Sequence, residues 1–153
     1  MVVRGIAYDT AVVGPRVVLD TNVAVAAIRS SRGASFRVLS LVGSGKFEIA
    51  LSVPLVLEYE DALLRNREEA ALTRDDVRDL LDYVCSVAQL QEIFFLWRPF
   101  LRDPRDDMVL EVAVAAQCEA VVTHNRRDFR GIEQFGLKVL TPQELLKNIG
   151  ELR

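Results

Sequence analysis

The sequence is poor in the residues that build zinc sites, disulfide scaffolds and membrane spans. Its 153 residues include two cysteines, one histidine and no Cys-x-x-Cys motif, which nearly excludes a zinc site made of cysteine and histidine. We expect the thiols of Cys85 and Cys118 to be buried and unpaired. No apolar run is long enough to cross a bilayer, and the N-terminus lacks the apolar block of a signal peptide. These features predict a cytoplasmic protein without membrane contacts.

The chain also lacks an excess of positive charge. Its formal net charge is −3, whereas nucleic-acid-binding proteins are often basic. Net charge governs solubility and steering rather than the chemistry of one cleft, so a nucleic-acid partner stays open. Half of the residues are hydrophobic, which is enough for one globular domain with a proper core. We expect this domain at residues 15–153, and residues 1–14 as an N-terminal extension, either flexible or the product of a wrongly assigned start.

Short apolar segments alternate with helical segments along the chain. Strands are predicted at residues 16–20, 47–51, 93–97, 120–123 and 137–140. Capping boxes at Thr73 and Thr141, and Pro54 at a first helical position, predict the starts of three helices. Residues 128–135 are predicted as one short helix. This alternation predicts an α/β fold with a mainly parallel five-stranded sheet and helices on both faces.

Acidic and amide side chains follow four of the predicted strands. Asp20 ends the first strand, and Glu58 lies early in the helix after the second. Asp107 closes a charged loop after the third strand, and Asn125 follows the fourth. The carboxyl ends of parallel strands meet at one edge, where ligands bind in open α/β sheets. Carboxylates gathered there repel one another unless a cation joins them, and such hard oxygen ligands suit Mg²⁺ or Mn²⁺.

Each of these residues also has a purely structural interpretation. Asp20 can cap the helix that follows it, and Glu58 can be a solvated helix residue. The three aspartates within residues 103–107 can complement a helix N-terminus, and Asn125 can be a turn residue. Their joint placement, rather than any one of them, therefore points to chemistry.

Four segments in this order and spacing closely resemble the PIN-domain family. They are VVLDTN at 17–22, PLVLEY at 54–59, DPRDD at 103–107 and VVTHNRRDF at 121–129. The resemblance spans about residues 16–146 and is greatest to VapC-like toxins of bacterial toxin–antitoxin systems. It implies a three-layer α/β/α sandwich and cleavage of single-stranded RNA that depends on Mg²⁺ or Mn²⁺. It also implies a cognate antitoxin and a homodimer.

The resemblance assigns a role to each matched position. Asp20, Glu58 and Asp107 become the catalytic acids and metal ligands, and Asn125 stands where many members have a fourth acid. An amide is a weaker ligand than a carboxylate, so one firmly held ion is expected, with any second ion recruited by RNA phosphate. The residues expected to support the acids or to lie in the outer part of the site are Thr21, Asn22, Asp103, Asp106, Thr123 and Asp128.

Basic residues near the same edge of the predicted sheet are candidates for contacts with the RNA backbone. They are Arg29, Arg32, Arg105, Arg126 and His124, with Arg102 and Arg127 beside them. The alternative is a set of solvated surface side chains. We expect Trp97 and Phe100 to belong to the core rather than to stack on bases.

Two other function classes stay open on the sequence alone. A PIN-like module that binds RNA or a partner without cutting is left open by Asn125. A haloacid-dehalogenase-type phosphatase also begins with a strand-end aspartate, but it needs a second aspartate two residues later, where this chain has Asn22. A receiver domain would need a lysine after a late strand, and the turn at 123–125 has none.

Overall fold

The structure is a computed structural model that describes residues 14–93 and 100–153. Its strands are β1 Arg16–Leu19, β2 Glu48–Leu51, β3 Gln89–Leu90, β4 Ala120–Val122 and β5 Lys138–Leu140. They form one sheet in the order β3-β2-β1-β4-β5, and each neighbouring pair is parallel. The predicted parallel five-stranded sheet is therefore confirmed.

The helices lie between the strands. They are α1 Thr21–Arg29, α2 Ala34–Ser40, α3 Val53–Asn66, α4 Arg74–Val87, α5 Pro104–Ala115 and α6 Pro142–Asn148, with 3₁₀ turns at Arg126–Phe129 and Ile132–Phe135. The capping boxes at Thr73 and Thr141 are both present, as predicted. Within the described ranges, every helix is too short or too polar to traverse a bilayer.

The path of the chain through the sheet creates the layers. The chain moves outward from β1 to β2 and β3, and then crosses back to β4 and β5. Because parallel crossovers are right-handed, this reversal places α5 on the opposite face from α1–α4, while α6 returns to pack against α2. The result is the expected three-layer α/β/α sandwich. The reversal also opens a crevice between the carboxyl ends of β1 and β4.

The neighbouring strands β1 and β4 are apolar, apart from Arg16 at the start of β1, because helices cover both of their faces. Val17 and Val18 of β1 and Val121 and Val122 of β4 have no solvent exposure. Their burial fixes the register of the two strands, which pair as Val18 with Val121. The residues that end these strands are therefore held rigidly beside each other.

Three predictions of local structure need correction or fall outside the described residues. The strand that pairs with β2 lies at Gln89–Leu90, where none was predicted, because α4 ends at Val87 and the backbone is already extended at Ala88. The strand predicted at 93–97 lies almost wholly outside the described residues. Residues 94–99, and residues 1–13 of the predicted extension, are outside the described part of the chain. The single helix predicted at 128–135 is wrong, since Gly131, with φ +97°, separates two 3₁₀ turns.

Candidate active site

Asp20 lies at the crevice, directly after β1. It occupies the N-cap position of α1, yet in the described chain its side chain makes no capping hydrogen bond. Its backbone N–H donates to the carbonyl of Val122 at 2.8 Å, and its Oδ2 accepts from the hydroxyl of Thr123 at 2.8 Å. Only 7% of the residue is exposed. The carboxylate is thus held mainly by the hydroxyl of Thr123 after β4, with a further backbone hydrogen bond from Thr21.

Thr123, which is fully buried, joins the two strand ends. Besides donating to Asp20, its hydroxyl oxygen accepts from the backbone N–H of Asn125 at 3.0 Å and from the amide of Asn22 at 3.4 Å. The Asn22 carbonyl oxygen accepts from the N–H of His124 at 3.3 Å. These bonds fix the orientation of Asp20, so Asn22 and Thr123 lie where supporting residues were expected.

Glu58 reaches the same crevice from α3. The next residue, Tyr59, is buried, and its hydroxyl donates to the carbonyl oxygen of Leu19 at the end of β1. Burial, together with the nearby charge of Asp20, raises the pKa of Tyr59 far above its ordinary value, so the phenol stays a donor. This bond holds α3 against β1 and keeps Glu58 beside Asp20.

Five carboxylates line one cleft of about 560 Å³, which we call the acidic cleft. They are Asp20, Glu58, Asp103, Asp106 and Asp128. They come from the end of β1, from α3, from the start of α5 and from the turn after β4. Thr21 and Asn22 also line this cleft. The strand-order reversal therefore gathers acids from four separate parts of the chain.

The electrostatics of the acidic cleft centre on Asp106. Burial and the negative charges of Asp20, Asp128 and Asp103 raise the pKa of Asp106 to about 7. Burial also raises the pKa of Asp20, although the hydrogen bond from Thr123 partly opposes this. The pKa of Asp103 is lowered instead, because the Arg105 side chain and backbone N–H donate to it. The cluster has an excess of negative charge that a cation would relieve.

Asp107, which the sequence predicts as the third acid of the site, lies apart from the acidic cleft in the structure. Asp107 is absent from the lining of the acidic cleft among the residues the structure describes. It is 8% exposed, and its Oδ1 accepts from the backbone N–H groups of Leu101 at 3.0 Å and Phe100 at 3.3 Å. Successive residues of a helix point about 100° apart. In this helix Asp106 faces the cleft, while Asp107 anchors the chain that precedes α5.

Asn125 was expected at the fourth corner of the site, and the structure places Asp128 there. The backbone N–H of Asp128 donates to the carbonyl of Asn125 at 3.1 Å, and this turn folds the aspartate back toward Asp20. The Asn125 side chain lines a neighbouring pocket instead of the acidic cleft, as far as the described residues show. A carboxylate therefore occupies the corner that was assigned to an amide.

Three of the candidate RNA-binding arginines differ in their surroundings. Arg29 and Arg105 line the acidic cleft, but Arg29 is paired with Glu69 at 3.1 Å and Arg105 with Asp103 at 3.1 Å. Arg32 is exposed at the loop after α1 and is not part of this cleft within the described structure. The structure thus brings two of the three to the rim.

The other two candidates are also partnered. Arg126 forms an ion pair with Glu144 at the start of α6. His124 is exposed, and its Nε2 lies 2.6 Å from the hydroxyl oxygen of the buried Ser35 on α2. His124 is absent from the lining of the acidic cleft among the described residues. Its position favours the structural role over general acid–base catalysis.

A second pocket adjoins the acidic cleft, and sequence reasoning named most of its residues without grouping them. We call it the arginine pocket; it is lined by Phe100, Leu101, Arg102, Asn125, Arg127, Asp128 and Arg130. The expectation that Phe100 belongs to the core is wrong, since 39% of the residue is exposed. Trp97 lies outside the described residues. Periodicity gives no signal for this pocket because its residues come from two irregular segments.

The acidic cleft fits a divalent cation by its donor chemistry. As placed, no three histidine, cysteine, aspartate or glutamate side chains in residues 14–93 and 100–153 converge closely enough to enclose an ion. The cleft nevertheless offers carboxylate oxygens, the ligands that Mg²⁺ and Mn²⁺ prefer. The raised pKa of Asp106 reports the repulsion that such an ion would remove.

Comparison with known proteins agrees with this geometry. A family model described as PIN domain matches residues 16–127 of the chain. The chain belongs to the PIN domain family. The matched range contains Asp20, Glu58, Asp106 and Asp107 and ends just before Asp128. Because PIN domains are generally nucleases, membership indicates a hydrolase that acts on nucleic acid.

The fold of this PIN domain is similar to that of one chain in the crystal structure of VapBC2 from Rickettsia felis bound to a DNA fragment from their promoter. The two are 16% identical, with a TM-score of 0.53, over 82% of this chain and 98% of that one. At this identity the likeness concerns the fold alone. No curated protein matches the sequence.

Proposed function

We propose that this PIN domain is an endoribonuclease that cleaves single-stranded RNA in the acidic cleft with the help of Mg²⁺ or Mn²⁺. The observation that carries the proposal is the meeting of five carboxylates at the strand-order reversal, where burial and the neighbouring negative charges raise the pKa of Asp106 to about 7. A cluster of like charges destabilises a fold unless it serves to bind a cation.

In this proposal Asp20, Asp106 and Asp128 would each offer a carboxylate oxygen to the ion, which would draw them together, and Glu58 would bind it through water or orient the attacking water. One ion would be held by these residues, and a second would arrive with the substrate phosphate. The ion, when bound, lowers the pKa of water and neutralises charge on the phosphate. Glu58 takes the proton of the attacking water while the water oxygen bonds to phosphorus and the bond to the leaving oxygen breaks.

The residues around the acids supply positioning. Thr123 orients Asp20 through its hydroxyl, and Tyr59 holds the helix that carries Glu58. Arg29 and Arg105 on the rim can turn from their carboxylate partners toward RNA phosphate, because both ion pairs are exposed and therefore weak. Asn125 is replaced by Asp128 as the fourth group of the site.

The decisive experiment measures cleavage of a labelled single-stranded RNA by the purified chain with Mg²⁺, with Mn²⁺ and with EDTA. We expect cleavage with either metal, none with EDTA, and a loss of about 100-fold or more in Asp20→Asn and Asp106→Asn. Asp79→Asn is the matched control, because Asp79 is an exposed aspartate of α4 outside the cleft lining. It should cut like the parent.

Three results would argue for another function. RNA binding without cleavage under both metals would favour the non-catalytic module. Full activity of Asp20→Asn would refute the proposed site. Hydrolysis of a small phosphomonoester in preference to RNA would favour a phosphatase, although Asn22, at the position where that chemistry needs an acid, is already bonded to Thr123 and His124.

We further propose that the protein is the cytoplasmic toxin of a toxin–antitoxin pair and acts as a homodimer. The similarity of fold to a chain of the VapBC2 structure supports this. The acidic cleft would accept a basic side chain from an antitoxin in place of the ion. Co-expression with the product of a neighbouring gene should restore growth and suppress cleavage; unchanged growth and cleavage would count against the pair.

A further inference from the structure

Three cavities adjoin one another along the surface and share residues. The acidic cleft and the arginine pocket share Asp128. The arginine pocket and a third cleft beside the β5 edge share Arg127 and Arg130, and Lys138 lines that third cleft. The three cavities therefore lie side by side, and the arginines adjoin the acids on the same surface.

The charge of the arginine pocket is largely unneutralised. Arg102, Arg127 and Arg130 are exposed, and none of the three has an ion-pair partner among the residues that the structure describes. Asp128 is the one carboxylate in the described lining of this pocket. Cations placed together without partners, directly beside a site that acts on a polyanion, favour phosphate as their ligand.

The ring of Phe100 is held in a fixed and partly exposed position. It packs edge-on against Phe135, with the ring centroids 5.2 Å apart and an angle of 69° between the planes. Gly131 lies under the ring, and a Cβ there would come within 3.5 Å of its Cζ. Asp107 holds the backbone of Phe100 and Leu101. A fixed, exposed aromatic ring beside free guanidinium groups is the arrangement on which nucleobases stack.

We propose that the arginine pocket binds a nucleotide of single-stranded RNA next to the scissile phosphate. The base stacks on Phe100, and Arg127 and Arg130 contact the flanking phosphates. This rests on the proposed function, which puts cleavage in the adjoining acidic cleft. Five carboxylates repel the RNA backbone, so attraction from a neighbouring pocket is needed to hold the strand across them.

Binding is tested without chemistry, by fluorescence anisotropy of a labelled single-stranded RNA in EDTA. Phe100→Ala should weaken binding about 5- to 100-fold, the range of one base–aromatic stack. A series of RNAs with one abasic position each should contain a position that weakens binding to the parent by a similar factor. Removing the base at that position should have little further effect on RNA binding by Phe100→Ala. Phe100→Tyr, which keeps a ring, should restore binding and excludes a simple folding defect.

The arginines are tested through salt dependence. The slope of log K against log salt should fall by about 0.7 for each phosphate contact removed in Arg127→Ala and Arg130→Ala. Arg74→Ala, an exposed arginine of α4, is the control and should keep the parental slope. Polyglutamate at equal charge should compete poorly, because it has no base to stack.

Each outcome decides for or against the pocket. Unchanged binding by Phe100→Ala, an abasic effect that persists in that variant, or competition by polyglutamate as good as by RNA would overturn the proposal. RNA that binds through Phe100 but is never cut refutes the nuclease function and leaves the pocket standing. RNA that is cut equally well by the parent and by Phe100→Ala refutes the pocket alone.

Discussion

Asp106 and Asp107 are neighbours in the sequence, and their replacement by alanine should change the free energy of unfolding in opposite directions. Asp107 is buried and accepts two backbone N–H groups, whereas Asp106 is half-buried among like charges. Within one helical turn, the carboxylate of Asp107 therefore stabilises the fold, while that of Asp106 destabilises it.

The magnitude for Asp107→Ala follows from its two hydrogen bonds. A bond to a charged group contributes about 1.5–3 kcal/mol, and the 3.3 Å bond to Phe100 is the weaker of the two. Because the longer bond adds little to the shorter one, losing both should lower the free energy of unfolding by about 2–3 kcal/mol. In a domain of this size that lowers Tm by about 4–12 °C. Cleavage by the folded variant should persist at saturating RNA, with a higher KM because Phe100 loses its anchor.

The magnitude for Asp106→Ala follows from its pKa, which is about 7 in the fold against an ordinary value of 3.8. Above pH 7 the ionised carboxylate destabilises the metal-free protein. Solvent screening of this half-buried group reduces the effect to about 1 kcal/mol. Asp106→Ala should therefore raise Tm by about 2–4 °C in EDTA while it abolishes cleavage.

Circular dichroism melts in EDTA at pH 8, together with RNA cleavage at 20–25 °C, decide the matter. Asp79→Ala is the control and should change neither Tm nor cleavage appreciably. If Asp107→Ala abolished cleavage at unchanged Tm while Asp106→Ala cut RNA normally, Asp107 would be the functional acid. The orientation of α5 described above would then be refuted.

Three further predictions use the same assays. In EDTA, the increase in Tm caused by Asp106→Ala should be absent below about pH 4, grow as the pH rises and level off above about pH 7. Mn²⁺ at pH 8 should remove this difference by stabilising the parent. A difference in Tm that does not change with pH would contradict the raised pKa of Asp106. Thr123→Val should cost about 1–3 kcal/mol and slow cleavage, while Thr123→Ser should retain both. Tyr59→Phe should cost about 1–2 kcal/mol by leaving the Leu19 carbonyl without its donor, and an unchanged Tm would mean that this bond is unimportant.

Much of the fold could be predicted from local patterns. Short runs of three consecutive apolar residues identified β1, β2 and β4, because strands covered on both faces bury apolar side chains on both. The capping box at Thr141 identified the start of α6 from its own first turn. Asp20 and Glu58 were found for the same reason, since each lies at a recognisable strand end or helix start.

The remainder of the candidate site depends on packing between segments far apart in the chain. Sequence alone could not choose between Asp106 and Asp107, because the phase of α5 is set by the face that it buries against the sheet. It could not prefer Asp128 to Asn125, because the choice depends on a 3₁₀ turn rather than on spacing. Phe100 looks like a core residue until the fold leaves part of its ring exposed beside free arginines. Local sequence thus determined which elements form and where they begin, while the direction of each side chain at the cleft was decided by tertiary contacts that no short segment encodes.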